Sequence, residues 1–307
     1  MTERHEQIGL IGLGTMGAAM ATHLLDTGWS LVLFDVDETK LAPFESYAKC
    51  AMAGSPAETM RLCDRLVTML PTSDHVEQVL FGATGAIAEI RAGDLVIEMS
   101  TGQLDMLEQQ AQQLEKAGAA MIDAPVCLSP AEAASGDLIA LVGGRTEDLA
   151  RAADLLEALS QRVIHAGPIG YGLRLKLVNN YMSMINHVLT GEVLALASAA
   201  GLDRQLTIDL LQNTAAGRGQ LLTNYPKKVL RGDISADFPI TMGIKDLSMA
   251  INMFEAMKGD ACFGALARQL FDDAAKAGHG AQDCTAMLAY FDNKLAGNPQ
   301  QNPNHAR

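Results

Sequence analysis

The sequence predicts an α/β protein: a Rossmann-type, doubly wound sheet domain, then an all-α domain, joined by a long interdomain helix. Three observations carry that expectation. Short runs rich in Ile, Leu and Val alternate with helical patterns from residue 7 to about 165. A G-x-G-x-x-G stretch follows the first of those runs. Beyond residue 167 the spacing becomes helical throughout.

Strands nearly continuous in branched aliphatic residues are buried on both faces, as in a parallel sheet covered by helices. In chain order QIGLIGL, SLVLFD, RLVTML, DLVIEMS, AAMIDAP and DLIALVGG read as strands. The intervening segments near 15–27, 38–48, 103–117 and 146–159 read as helices. This βαβ alternation defines a doubly wound domain with a parallel sheet. Residues 172–199, 203–214, 244–257 and 261–277 carry the helical spacing of the second domain. The expected limits are 1–166 for the NAD-binding sheet domain and 167–296 for the all-α substrate and oligomerisation domain. The polar stretch GNPQQNPNHAR, 297–307, is expected to fray.

Composition narrows the function. A chain of 307 residues, 49% hydrophobic and 19% charged, is an ordinary globular protein with room for two domains. A net charge of −13 without any basic run argues against nucleic acid, whose phosphates are bound by Lys and Arg clusters. The most apolar stretches fall short of a membrane span. The start, MTERHEQ, has no apolar signal core, so a cytoplasmic protein is expected. Cys50, Cys63, Cys127, Cys262 and Cys284 form no close pair, which suits neither a metal site nor a disulfide framework.

IGLIGLGTMG puts Gly12, Gly14 and Gly17 at the end of a strand and the start of a helix, with Leu13, Thr15 and Met16 between them. In a dinucleotide fingerprint the first glycine makes the tight turn and the second admits the pyrophosphate. The third lets helix pack on strand, while the helix amino terminus offers amides to the phosphates. Asp35 ends the next strand and is placed to accept hydrogen bonds from ribose hydroxyls. With Asp37 it would repel a 2′-phosphate, so NAD is the expected cofactor. Leu70 and Pro71 in MLPT, and Ser100 and Thr101 in EMST, end later strands and fall at the same crevice.

GPIGYGLRLKLVNNYMS sets Lys176, Asn180, Ser183 and His187 at i, i+4, i+7 and i+11, one polar stripe on an apolar helix. Most lysines on helices are simply solvated. This one is flanked by Leu173, Leu175, Leu177 and Val178, and the stripe it heads is built of amides and a hydroxyl. Hydride arriving at a carbonyl carbon leaves charge on oxygen, and an ammonium within reach can supply the proton. Lys245, in MGIKDLSMA, is a candidate second cation.

Taken together, GLGTMGAAMATHLL, DAPV with the loop after it, GPIGYGLRLKLVNN and IKDLSMA resemble the β-hydroxyacid dehydrogenases, relatives of 3-hydroxyisobutyrate dehydrogenase. The resemblance covers essentially the whole chain up to the tail. It implies an NAD-dependent oxidoreductase that interconverts a small anionic 3-hydroxyacid-type alcohol and its semialdehyde, assembled as a homodimer or homotetramer. It implies Lys176 as general acid/base and Asn180 as its substrate-orienting companion. Asn179, Thr101 and Lys245 fall on the family's site positions. Cys127, Leu128, Ser129, Ser183 and Arg218 fall on the substrate side.

LKLVNNYMS, NTAAGRG and PKKVLRGD further resemble the sulfolactaldehyde-reducing branch, implying NADH reduction of 3-sulfolactaldehyde to 2,3-dihydroxypropane-1-sulfonate. The alternatives are 3-hydroxyisobutyrate, tartronate semialdehyde or 4-hydroxybutyrate as substrate, or a dinucleotide-binding protein without turnover. One loop departs. The family reads DAPVSGG, and that branch carries Gly-Arg-Thr after the valine, whereas here Cys127, Leu128 and Ser129 follow it. A missing arginine forfeits a bidentate anion partner, typically ~1.5–3 kcal/mol for each hydrogen bond to a charged group. Arg174 and Arg218 are the remaining candidates for that charge.

Overall fold

Alternate residues of the central strands face opposite ways, and both faces are apolar. Ile8, Leu10, Leu31 and Leu33 enter one buried cluster with Met20 and Leu24, whereas Leu66 and Val96 enter another with Met60 and Leu107. A strand buried on both sides has to be covered twice, which fixes a sheet between two helical layers. The computed structural model describes residues 7–296. The expectations for the amino-terminal leader and the tail at 297–307 lie outside the described residues.

The chain forms two compact units, 1–182 and 183–307. In the first unit the strands are β1 (Gln7–Ile11), β2 (Ser30–Phe34), β3 (Cys50–Met52), β4 (Arg65–Thr68), β5 (Leu95–Glu98), β6 (Ala120–Asp123), β7 (Val126–Cys127), β8 (Leu138–Gly143) and β9 (Ser160–Gly167). Their order is β3-β2-β1-β4-β5-β6-β8-β7, with β9 alongside β8. Pairing is parallel from β3 across to β6. This is the doubly wound order, with its switch point between β1 and β4. The fully parallel expectation needs correction at one edge: β8 runs antiparallel to both β6 and β7. The link Ala124–Asp137 is taken up by β7 and the six-residue α5 (Pro130–Ser135), so no crossover turns β8 parallel to β6.

The remaining helices of this unit are α1 (Thr15–Asp26), α2 (Pro56–Leu62), α3 (Ser73–Phe81), α4 (Leu104–Lys116) and α6 (Thr146–Leu159). The helix expected over 38–48 is instead two short 3-10 turns, Glu38–Lys40 and Ala42–Phe44. Pro43 lacks an amide donor there, which stops a longer helix. Ser55 and Thr72 cap α2 and α3, helices too short for their periodicity to show in the sequence.

The long helix α7 (Tyr171–Ala199) starts in the first unit. The first compact unit ends within α7, at Met182, whereas the expected limit of 166/167 precedes that helix. The reason is local: Leu173 is buried in the sheet unit, and the Gly170 and Leu173 amides donate to Asp123 on β6.

The second unit is helical, with α8 (Arg204–Asn213), α9 (Ala215–Arg218), α10 (Ile240–Ala256), α11 (Cys262–Ala274) and α12 (Met287–Ala296). Its buried cluster among the described residues is small: Ile240, Ala274, Ala286 and Met287. No helix among the described residues is long and apolar enough to cross a membrane.

Candidate active site

The fingerprint turn is built by its glycines. Gly12 has φ +100°, and a Cβ there would collide with the Met69 carbonyl. A Cβ on Gly17 would strike the Gly12 carbonyl, so α1 can approach β1 only with glycine there. Gly14 faces free space, with no atom within 4 Å of where its Cβ would stand. Gly12, Gly14, Thr15, Met16 and Gly17 line an open crevice of about 430 Å³ together with Asp35, Leu70 and Pro71. Leu13 lies beneath it, buried, and its amide donates to Asp35 Oδ2 at 2.7 Å.

Asp35 is buried, and its Oδ1 accepts the Asp37 amide at 2.9 Å. Two backbone amides thus fix the carboxylate at the strand end, the position a ribose-binding acid needs. Lys40 Nζ stands 3.3 Å from Asp35 Oδ1 and lines the same crevice. Sequence reasoning missed Lys40, as it did His75 and Gln78 on the opposite wall. Lys40 ends a turn misread as a longer helix, and α3, which carries His75 and Gln78, has only nine residues and a single apolar turn, Val76, Val79 and Leu80. Ser100 and Thr101 do not line the crevice: Ser100 is buried and Thr101 is exposed.

Ser100 acts one step back. Its hydroxyl accepts the Leu70 amide at 2.8 Å, and its own amide donates to Glu98 Oε1 at 2.9 Å. The Thr68 hydroxyl donates to the other Glu98 oxygen. A buried carboxylate therefore ties the ends of β4 and β5 together. Burial pushes the Glu98 carboxyl up to about 7, against the pull of the Ser100 and Thr68 hydrogen bonds and with added repulsion from Asp123. Because the folded value exceeds the ordinary 4.5, the folded state holds a proton that the unfolded chain has released. Glu98 should therefore make stability fall as pH rises from about 4.5 to 7, then level off. In Glu98→Gln that slope should vanish, so the melting temperature of the variant gains on wild type as pH rises across this window. A constant difference between the two melting curves would contradict the assignment.

Lys176 lies in the part of α7 that belongs to the sheet unit, and it is half-buried. Its ammonium donates to Cys127 Sγ at 3.9 Å, joining α7 to the end of β7 across 49 positions of sequence. Asn179 and Asn180 follow, and the Asn179 side chain donates to Asn180 Oδ1 at 3.2 Å. Beside Cys127, Leu128 is exposed and takes φ +83°, the left-handed region that favours glycine. That strained backbone stands where the resembling family carries glycine or arginine. Ser129 is committed elsewhere: with Glu132 it forms the capping box of α5. Arg174 pairs with Glu108 at 3.0 Å and stacks on Tyr171, so its charge is already partnered.

Three expected residues belong to the second unit. Ser183 is half-buried on α7, Arg218 is exposed on α9, and Lys245 on α10 pairs with Asp246 at 3.1 Å.

Residues 7–167 match the family described as the NAD binding domain of 6-phosphogluconate dehydrogenase. Residues 170–291 match the NAD-binding domain of NADP-dependent 3-hydroxyisobutyrate dehydrogenase. The chain is 36% identical to 3-sulfolactaldehyde reductase of Escherichia coli K12, over 92% of this chain and 94% of that protein. It is 33% identical to mouse mitochondrial 3-hydroxyisobutyrate dehydrogenase, over 92% of this chain and 86% of the relative. The solved Mycobacterium tuberculosis 3-hydroxyisobutyrate dehydrogenase is similar with a TM-score of 0.64 at 26% identity, covering 94% of this chain and 99% of that one. The chain belongs to the β-hydroxyacid dehydrogenase family, the NAD-dependent oxidoreductases related to 3-hydroxyisobutyrate dehydrogenase that act on CH–OH groups.

Proposed function

We propose that the protein reduces a small anionic semialdehyde with NADH, and that Lys176 is the general acid. The observation that carries this reading is the half-buried Lys176 ammonium held beside Cys127 at the end of β7. Gly12, Gly14, Gly17 and Asp35 would hold the dinucleotide, since the glycine turn leaves room for phosphates and Asp35 presents a fixed carboxylate. When bound, the cofactor supplies the hydride. Lys176 donates a proton to the substrate oxygen as charge builds there. Asn180 orients that oxygen, and Asn179 restrains Asn180 through their side-chain hydrogen bond. Cys127 and Leu128 would form a wall of the substrate pocket.

For the substrate we take 3-sulfolactaldehyde, reduced to 2,3-dihydroxypropane-1-sulfonate. Support comes from the carboxyl-terminal motifs and from the 36% identity to the Escherichia coli enzyme of that name. Leu128 favours a second reading, a carboxylate partner such as the semialdehyde of 3-hydroxyisobutyrate, since no arginine stands in that loop to meet a sulfonate. Initial rates with NADH separate them. Sulfolactaldehyde should exceed methylmalonic, tartronic and succinic semialdehydes in kcat/KM; equal or slower turnover would remove the sulfonate assignment.

The working unit is a homodimer or homotetramer. Within the second unit Met184, Val188, Leu206, Leu210, Leu222 and Met249 are all exposed, against a buried cluster of four residues. That much apolar surface on helices calls for a partner, and a second copy supplies one of matching chemistry. Light scattering should give a mass of two or four chains, and a monomer at micromolar concentration would contradict this.

A further inference from the structure

Asp123 ends β6, four residues before Cys127, and its side chain is completely buried. Oδ1 accepts the Gly170 amide and Oδ2 accepts the Leu173 amide, both at 2.6 Å. These are amides of the turn that opens α7, groups that no helix satisfies internally. One carboxylate thus caps the helix that carries Lys176 while its own strand leads directly into the loop that carries Cys127. The space around it leaves little freedom. A Cβ on Gly143 would collide with Oδ1, and one on Gly172 would stand 2.8 Å from Oδ2. Leu173, buried beside this cap, is one helical turn ahead of Lys176.

We infer that Asp123 is a positioning residue for proton transfer, setting the Lys176 ammonium against the Cys127 loop through its grip on the first turn of α7. This rests on the reading of Lys176 as general acid. A carboxyl is held there at a cost: burial pushes that of Asp123 up, while the amides of Gly170, Leu173 and Gly172 pull against it. A helix start could be capped by a neutral Ser or Thr at less desolvation cost. What an aspartate adds is two acceptor oxygens on one side chain, which take both amides at once and fix the helix angle. A shift of about 1 Å at a reacting group can cost ~10²-fold in rate.

The test is Asp123→Asn. The asparagine amide cannot accept, so it opposes one of the two α7 amides while shape is kept. Turnover is measured with NADH and whichever of 3-sulfolactaldehyde and methylmalonic semialdehyde wild type reduces faster. NADH affinity comes from a fluorescence titration without aldehyde. We expect kcat to fall at least ~10-fold, with the NADH dissociation constant within about twofold of wild type. In the double variant with Lys176→Ala the loss should be no greater than in Lys176→Ala alone, because Asp123 acts through the lysine. A role confined to stability would instead add to it. Should Asp123→Asn fail to fold, Asp123→Ser, a smaller neutral cap with a single oxygen for the two amides, is read in the same way. Near-normal kcat in the folded variant, or additive losses in the double variant, would overturn the inference while leaving Lys176 in place. Near-normal kcat in Lys176→Ala would overturn both.

Discussion

Lys176→Ala should lower kcat by at least ~10²-fold while NADH still binds with near-native affinity. The magnitude is that of proton-transfer assistance from a positioned side chain. The selectivity follows from geometry: the crevice that fits the dinucleotide is lined by the glycine turn, Asp35, Leu70 and Pro71, and Lys176 is not part of it. Lys176 meets Cys127 instead, on the loop that departs from the family's sequence. Stopped-flow mixing of NADH-loaded variant with aldehyde reads the chemical step, and a separate titration reads binding. Native turnover would remove the lysine from the mechanism.

Asp35→Ala should erode the preference for NADH over NADPH by roughly 10–10²-fold in the ratio of kcat/KM values. Each ribose hydroxyl bound to this carboxylate is worth ~1.5–3 kcal/mol, about 10–150-fold. Removing the charge also leaves Lys40, now 3.3 Å from Asp35, free to meet a 2′-phosphate. Part of the damage would be local, since the Leu13 and Asp37 amides lose their acceptor. The ratio isolates the cofactor effect, because both cofactors suffer that local damage equally. An unchanged ratio would show that another group sets the preference.

What the sequence disclosed follows from length and burial. The six long strands are apolar over enough residues to be read directly, and α1, α4 and α6 have whole turns of amphipathic spacing. Asp35 and the glycines were legible because a tight turn against a phosphate tolerates few residue types. Short elements were not: β3 has three residues and β7 two, too few for any period to register. β9 was hidden for another reason, as a strand with a single buried residue along its length lacks the aliphatic run. In the site, the lysine stripe could be read from helical spacing alone. The approach of Lys176 to Cys127, the cap that Asp123 gives α7, and Lys40 beside Asp35 are products of tertiary folding. No local pattern encodes them. Ser129, expected at the substrate, shows the converse, since the SPAE stretch it begins was readable as a helix cap.

The central claim is that the Lys176 amine delivers the proton to the substrate oxygen, and chemical rescue tests it most directly. Lys176→Ala, saturated with NADH and aldehyde, would be assayed with increasing ammonium or methylammonium at constant pH and ionic strength. The account predicts turnover that rises with amine concentration in the variant and not in wild type. A variant that binds NADH normally yet ignores both amines, or that needs neither, would contradict it.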